Sequence, residues 1–348
     1  MIMQSAPVRV AVFALRKIAG AFVTLFVLVS VVFLLIQLTP GDEAVAAAGP
    51  GASPEKIEQL REQLGLAGPL IERYAGFLGR IAQGDLGVSS VSRGSVADAI
   101  ASALPTTAEL VVVSVVLSML IAFPLAGLSA IRATGRGESW RRFLIILVCG
   151  LPTFWLALMF QRLFGSILGW FPISGRYTIG VVSVPDVTGS ALLDGMLAGD
   201  VVAVSDALAH IALPAIILSL AFVGPAYRVI RAEFISASGQ DFVMVARATG
   251  QSRLQVLRRN IVPHVLTPTL ILIGIEFGSL FGGAVLVESV FGRDGLGSML
   301  TNAVAQKDSS VVVGGVLAIG VIVIVVNSLV DVAHSVRDPR VRRAEMGI

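Results

Sequence analysis

Residues that could do chemistry are few in this chain, and their spacing matches no common catalytic arrangement. The charged residues within apolar runs, or at their ends, are Glu109, Arg162, Glu276, Glu288 and Asp331. The three histidines lie far apart: His210, His264 and His334. Isolated histidines near the ends of apolar runs are more typical of polar helix ends than of metal ligands, and neither His-Glu-x-x-His nor Gly-x-Ser-x-Gly occurs. The sequence therefore predicts a non-catalytic chain that binds no metal and no cofactor.

Nucleotide hydrolysis by this chain is excluded by its lysines. A phosphate-binding loop requires Gly-Lys followed by Ser or Thr, because the backbone cradles the phosphates and the lysine reaches them. Arginine, glutamate and glutamine precede the only lysines, which are Lys17, Lys56 and Lys307. Any step that requires energy must therefore use ATP and Mg²⁺ bound by another subunit, or an ion gradient.

The composition identifies the class of protein. Of the 348 residues, 55% are hydrophobic and 14% are charged, and the mean hydropathy is +0.86. Soluble domains have roughly 25% charged residues, and disorder requires low hydrophobicity, so both classes are excluded. The single cysteine, Cys149, excludes a disulfide scaffold, and the net charge of +3 does not favour nucleic acid as a partner. An integral membrane protein remains.

Apolar runs indicate the membrane spans. A helix needs about 20 apolar residues to cross a hydrocarbon layer of about 30 Å. We predict an all-α integral membrane protein, a single transmembrane domain over residues 1–348, with six spans at about 18–38, 107–131, 143–168, 208–229, 265–290 and 311–332. The first run is longer than the ~7–15 residues of a signal peptide core, so we expect it to be a retained helix.

Basic residues are distributed unevenly over the connections between these spans. With the N-terminus in the cytoplasm, the inner segments hold 17 basic and 5 acidic residues, and the outer segments hold 8 basic and 14 acidic residues. Cytoplasmic loops of membrane proteins are enriched in Lys and Arg. The sequence therefore predicts that both termini are cytoplasmic.

Two outer connections are too long to be simple turns. In residues 39–105, Ser53-Pro54-Glu55 is typical of a helix start, and a second helix is expected from Pro69 to just before Gly84. This helical insertion is either an amphipathic cap on the membrane surface or a docking platform for an external partner. Residues 169–207 show no helical period, and we predict only a loop there.

The connection over residues 230–264, on the predicted cytoplasmic side, has the pattern of a helical hairpin. Ser238 with Asp241 and Ser252 with Gln255 each have the spacing of a capping box. Gly250, between the two predicted short helices, suits a left-handed helix end. The segment is rich in arginine, so it is either an interfacial hairpin bound to anionic lipid or a rigid element that fits a groove in a soluble partner.

Small residues in the fifth span predict close helix packing. Gly274, Gly278 and Gly282 recur every four residues and would form one ridge. The ridge either packs within this chain or forms a seam against a partner beside a pathway. Glu276 is then the acid expected to face the pathway, because a lipid-facing carboxylate is costly. Glu109 and Glu288 are expected near the outer ends of their spans, within reach of water.

One segment resembles a known family. Residues 241–263 read DFVMVARATGQSRLQVLRRNIVP and resemble the coupling-loop motif of binding-protein-dependent ABC importer permeases, in which proline follows the glycine by thirteen residues. The motif's opening acid and alanine are replaced by Met244 and Val245, and Val262 replaces the leucine before Pro263. The Ala-Arg-Ala-x-Gly core resembles the peptide/nickel subfamily. Other segments resemble its first permease subunit: residues 38–42, 84–87, 151–155, 169–172, 210–214, 288–291, 295–297 and 338–340.

The resemblance implies the fold and the partners. It implies a type I ABC importer permease in a bacterial inner membrane, forming half of a translocation pathway for peptides or similar small solutes. The implied partners are a second homologous permease, two cytoplasmic ATPases and an extracytoplasmic substrate-binding protein. The alternatives are a permease for nickel or metal chelates and, less favoured, an ion-coupled secondary transporter; the transported substrate does not follow from the sequence.

The same resemblance implies two groups of functional residues. Those expected in the ATPase-coupling loop are Asp241, Ala246, Arg247, Ala248, Gly250, Leu254 and Pro263. Those expected at the translocation pathway or the interface between permeases are Gly274, Glu276, Gly278, Gly282 and Glu288.

Overall fold

The computed structural model describes residues 6–38, 43–49, 51–63, 65, 67–131, 140, 143, 147, 149–180 and 184–337. In these residues the regular structure is helical, apart from one isolated antiparallel bridge between Val88 and Ser95. The α-helices are α1 Ala6–Leu38, α2 Glu43–Ala48, α3 Pro54–Gln63, α4 Leu70–Ala82, α5 Val96–Ile131, α6 Thr153–Phe160, α7 Ala191–Ala198, α8 Val201–Ser238, α9 Asp241–Ala248, α10 Arg253–Val256, α11 Val262–Phe291, α12 Leu296–Gln306 and α13 Ser309–Arg337. π-Helical turns at Gln161–Ile167 and Leu257–Ile261 continue α6 and α10.

Five helical segments of the described chain are long and apolar enough to cross a membrane. They are Ile18–Leu35, Val96–Ala130, Val201–Ser238, Arg253–Phe291 and Ser309–Val330. They confirm five of the six predicted spans. Of the third predicted span, α6 and its π-turn form the second part, and residues 144–146 and 148 lie outside the described residues.

Several helices begin well before the apolar runs do, because polar residues cap them. α5 starts at Val96, where the Ser95 hydroxyl accepts a hydrogen bond from the N–H of Asp98 (3.3 Å). α8 starts at Val201, where the Asp200 carboxylate accepts from Val202 N–H (2.9 Å) and from the next residue's N–H (3.1 Å). A side-chain cap satisfies N–H groups that have no partner in the first turn, so helix propagates beyond the hydrophobic stretch.

The first compact unit contains residues up to Thr107 and residues Arg293–Ile324. Its core packs α1 against α4 and α13 through Val29, Val313 and Leu317, with Phe77 and Leu86 beside them. The two predicted helices of the insertion are confirmed as α3 and α4. The helix α4 is fixed on α1 by a hydrogen bond between the Tyr74 and Ser30 hydroxyls (2.5 Å) and by the stacked rings of Phe33 and Phe77 (5.1 Å between centroids).

Asp308 organises the other side of this unit. Its buried carboxylate caps α13 by accepting from Val311 N–H (3.4 Å). The same carboxylate accepts from the Ser89 hydroxyl (2.5 Å) and from the N–H groups of Ser90 (3.3 Å) and Val91 (3.4 Å). One carboxylate therefore holds both a helix start and the loop that precedes α5.

The second compact unit contains residues Ala108–Gly292 and the chain from Val325 onward. Its core is the packing of α8 against α11, with buried side chains that include Ile217, Phe222 and Ile230 on α8 and Leu280 and Phe281 on α11. Both helices continue through internal prolines, as membrane helices do when their neighbours compensate for the lost hydrogen bonds.

The prediction of a loop over residues 169–207 is wrong in part, since α7 and the first turns of α8 lie within it. Ser190 caps α7 and donates its hydroxyl proton to Glu109 of α5 (2.7 Å). Burial raises the pKa of Asp194, but hydrogen bonds from the N–H and hydroxyl of Thr188 outweigh burial, so the pKa is lowered overall. The carboxylate is therefore ionised at neutral pH, and its contribution to this turn is lost only as the pH falls through that lowered pKa.

Candidate functional site

The segment between α8 and α11 forms a helical hairpin, which we call the Gly250 hairpin (residues 241–263). Its arms are α9 and the α10–π-turn segment, which contact each other. Val243 and Ala246 on the first arm and Val256 and Ile261 on the second are buried. The second arm runs into α11 without a break, because Pro263 occupies the first turn of α11, where the missing N–H costs little. The hairpin is thereby continuous with the helix that contains the fifth predicted span.

The glycine turn has the geometry that the sequence predicts. Gly250 has φ +82°, a left-handed conformation that glycine adopts without a Cβ clash. Its N–H donates to Arg247 O (3.0 Å), and Gln251 N–H donates to Ala246 O (3.2 Å). This pair of bonds is a Schellman motif, which satisfies the last carbonyls of α9 and reverses the chain direction.

Of the two predicted capping boxes, one is confirmed and one is wrong. Ser252 accepts from Gln255 N–H (3.3 Å), and the Gln255 side chain accepts from Ser252 N–H (2.8 Å). Ser238 instead ends α8, and its hydroxyl donates to Phe234 O (2.6 Å). The helix α8 extends through the position where the first box was expected, so Gln240 precedes α9 with no side-chain cap.

The surface of the hairpin that its own chain does not cover includes large apolar side chains among charged and polar ones. Met244, Val245 and Leu254 are 62%, 61% and 60% exposed. Ala248 and Arg247 are also exposed. Exposed apolar side chains grouped in a segment outside the spans are typical of a protein–protein contact. Such a surface could bind in a groove of a partner protein, with Arg247 beside the apolar side chains.

The other predicted coupling residues divide between the two faces of the hairpin. Asp241, at the start of α9, is exposed, as is Pro263. Ala246 is 4% exposed. Ala246 therefore packs within the hairpin and is not available to a partner, because it lies on the same side of α9 as the buried Val243, three residues earlier.

The glycines of α11 do not form one ridge. A Cβ on Gly274 would lie 2.7 Å from a side-chain carbon of Val330, so this glycine permits close packing against α13 in the same chain. A Cβ on Gly282 would have no neighbour within 4 Å, and Gly278 is half-buried. A step of four residues overshoots a 3.6-residue turn by about 40°, so Gly282 lies about 80° around the helix from Gly274. Gly283, which the spacing did not indicate, approaches Leu218 of α8 instead (2.9 Å from its Cβ position).

Glu276 and Glu288 lie in different surroundings on α11. Glu276 is half-exposed, and within the described residues no hydrogen bond or ion pair engages its carboxylate. Glu288 is fully buried, so the expectation that water reaches it is wrong. The expectation fails for Glu109 as well, which is 9% exposed. Glu276 is thus the α11 carboxylate that remains accessible to a solute or a partner chain.

One contact between the π-turn after α6 and the end of α11 was not indicated by the sequence. Gln161, at the start of the π-turn after α6, donates from its amide to Ile173 O (2.7 Å) and to Val290 O (2.9 Å). Gly175 N–H donates to Phe291 O (2.9 Å). These bonds hold residues 169–175 against the end of α11. A polar residue within an apolar run was the available signal, and π-turns are frequent at functional sites.

Comparison with known proteins agrees with this architecture. The family model described as "Binding-protein-dependent transport system inner membrane component" matches residues 114–343, and its N-terminal companion matches residues 10–111. The dipeptide transport system permease protein DppB of Escherichia coli is 31% identical over 334 residues, 95% of this chain and 98% of its own length. The di/tripeptide transport system permease protein DppB of Pseudomonas aeruginosa is 32% identical over 334 residues, with the same shares covered. A Brucella abortus relative is 34% identical over 332 residues, 94% of this chain and 98% of its own.

These matches define a multi-span permease of the inner membrane. The chain belongs to the family of binding-protein-dependent transport system inner membrane components, the permeases of ABC importers.

Proposed function

We propose that this chain is one of two permease subunits of an ABC importer for short peptides. The observation that carries this proposal is the similarity over nearly the whole chain to permeases named for dipeptide and di/tripeptide transport. Those names favour peptides over nickel chelates. Membership of the permease family does not favour a secondary transporter, whose energy would come from ion coupling.

The remaining subunits of the proposed importer supply what this chain lacks. Two cytoplasmic ATPases bind ATP and Mg²⁺, since no lysine here follows a glycine in a phosphate-binding loop. A second homologous permease completes the pathway, and an extracytoplasmic binding protein delivers the peptide. Alternating access between outward-open and inward-open states then moves the peptide across the membrane.

The Gly250 hairpin is the proposed element that receives the ATPase movement. Its exposed apolar side chains, Met244, Val245 and Leu254, would enter a groove of the ATPase, and Arg247 lies where it could pair with an acid at the rim. Because the second arm is continuous with α11, a displacement of the hairpin is transmitted to the fifth span. Coupling therefore requires no hinge between the docking surface and the membrane.

Reconstitution tests the function directly. Vesicles containing this chain, its second permease and the ATPases are expected to take up a labelled dipeptide only with ATP inside and binding protein outside. Collapse of the ion gradients with an ionophore should leave uptake unchanged, because ATP supplies the energy. Uptake that needs an ion gradient but no ATP would contradict the proposal.

The proposed orientation has its own test. A reporter fused after Ile348 is expected to be active only in the cytoplasm, and one inserted near Gly94 only outside, because basic residues concentrate on the inner side. Cysteine accessibility at the same two positions provides an independent measurement. A cytoplasmic Gly94 would reverse the orientation and place the Gly250 hairpin on the wrong side for an ATPase.

A further inference from the structure

A cleft in the first compact unit is not used by the proposed function. It has a volume of about 270 Å³. Its lining comes from α1, α4 and the start of α13, together with the residues that follow α3 and α4. The cleft lies near the end of α1 that leads into the helical insertion.

The lining of the cleft is divided into an apolar and a polar part. The apolar part includes Phe33, Phe77, Ile81 and Val313. The polar part comprises Gln37, Gln63, Arg73, Arg80, Asp85, Ser309 and Ser310. Small-molecule sites usually combine an apolar wall with a few polar groups in this way. A ligand that fits must itself have an apolar and a polar, charged portion.

The charge of the polar part is positive. Arg73 and Arg80 are seven residues apart, so they project from one face of α4, about 10 Å apart along its axis. Within the described residues neither guanidinium has a carboxylate partner, whereas Arg61 on the neighbouring α3 is paired with Glu58 (3.0 Å). Asp85 is the carboxylate in the lining, and its Oδ1 accepts from Gly87 N–H (2.8 Å).

The cleft lies at the ends of two membrane spans. The stretch of α1 that is apolar enough to cross a membrane ends at Leu35, between the apolar Phe33 and the polar Gln37 of the lining. The corresponding stretch of α13 begins at Ser309. The N–H of Ser309 belongs to the first helical turn, so it has no hydrogen-bond partner within the helix. If these stretches cross the hydrocarbon, their ends would place the polar part of the cleft at headgroup depth and the apolar part at the edge of the hydrocarbon.

We propose that this cleft binds the headgroup of an anionic phospholipid, such as phosphatidylglycerol. The phosphate would lie between Arg73 and Arg80, since guanidinium groups present paired N–H donors to phosphate oxygens. The first part of the acyl chains would contact Phe33 and Val313. The insertion formed by α3 and α4 would then be a lipid-anchored cap on the end of α1, in agreement with the first of the two interpretations that its sequence allows.

Native mass spectrometry can measure the affinity of this site for lipid. The full-length chain is purified within its transport complex and delipidated. Phosphatidylglycerol is titrated against the wild type and against the double variant Arg73→Gln/Arg80→Gln. We expect the double variant to lose about 25-fold in affinity at its tightest lipid site, since each arginine near a lipid surface contributes about fivefold. Arg61→Gln is the matched control and should change the affinity less than twofold, because Arg61 is already paired and does not line the cleft.

Further arms of the titration identify the source of the phosphate and guard against misfolding. Phosphatidylcholine should bind the wild type at least tenfold more weakly, and inorganic phosphate at the same concentration should not compete. Arg80→Lys keeps the charge but loses the paired N–H donors, so it should bind more weakly than the wild type and more tightly than Arg80→Gln. Arg80→Gln alone, at an exposed position, should lose about fivefold, and it replaces the double variant in the test if that variant does not fold. Equal binding of phosphatidylglycerol by all variants would overturn the proposal, as would competition by inorganic phosphate. The titration involves no transport, so it does not depend on the proposed import of peptides.

Discussion

Replacing Gly250 with valine is expected to abolish the stimulation of ATP hydrolysis by peptide-loaded binding protein while the membrane spans stay folded. The backbone of Gly250 has φ +82°. An L-residue in the left-handed region costs roughly 1–2 kcal/mol, and a β-branched side chain is restricted further. The turn would relax toward another conformation, and the two Schellman hydrogen bonds would be lost. The apolar face of α9 would then no longer meet the ATPase groove in the direction that the hairpin sets.

A graded series separates backbone strain from side-chain size. Gly250→Ala should reduce stimulation by about tenfold, and Gly250→Asn should retain most of it, because asparagine tolerates the left-handed conformation. Gly239→Ala is the matched control. Gly239 lies at the start of the same connection with φ −89°, and a Cβ there would make only ordinary contacts, so full stimulation is expected.

Two measurements decide the role of the hairpin. ATPase stimulation is assayed in the reconstituted complex, and association of the ATPase is assayed by co-purification, with thermal unfolding as the control for folding. Wild-type stimulation and uptake in Gly250→Val would show that the hairpin is not the coupling element. A hairpin bound to anionic lipid would then explain its arginines better.

The local features of the hairpin could be predicted from sequence because they depend on neighbouring residues. Gly250 and the Ser252–Gln255 box each act within one turn, and both have the expected geometry. The box expected at Ser238 failed because α8 continues through that position. A serine can cap a new helix or end an old one, and spacing alone does not distinguish the two.

Contacts between distant parts of the chain could not be predicted in this way. The hydrogen bond between Glu109 and Ser190 joins residues 81 positions apart, and the bond from Gln161 to Val290 joins residues 129 positions apart. Hydropathy places such residues near span ends but does not say which helices are neighbours. The prediction that water reaches Glu109 and Glu288 failed for the same reason.

The glycine pattern of α11 shows a related limit. Recurrence every four residues suggested one packing surface, but the helix turns by about 40° more than a full turn in each step. Gly274 therefore faces Val330 within the chain, and Gly282 faces open space. A partner seam, if it includes these glycines, is confined to the part of α11 near Gly282. Glu276 lies between the two regions.

Glu276→Gln is expected to leave assembly of the complex intact and to reduce peptide uptake by about tenfold. The substitution removes the charge at nearly constant volume. Hydrogen bonds to charged groups contribute about 1.5–3 kcal/mol, and a peptide carries a terminal ammonium group that an accessible carboxylate could attract. Glu276 is half-exposed, and within the described chain no group neutralises it by an ion pair. A buried structural acid would show the opposite pattern, with assembly lost first.

The controls for Glu276 distinguish charge from position. Glu276→Asp keeps the charge on a shorter side chain. If the charge is what matters, this variant should retain at least about a third of the uptake, because the distance between the carboxylate and the peptide ammonium increases but the attraction remains. Glu233→Gln removes a comparable half-buried carboxylate from α8, outside the predicted span, and should leave uptake unchanged. Co-purification of the second permease and the ATPases is measured for each variant alongside uptake. Normal uptake in an assembled Glu276→Gln complex would remove Glu276 from the pathway, whereas loss of the second permease would assign its carboxylate to an ion pair between the subunits.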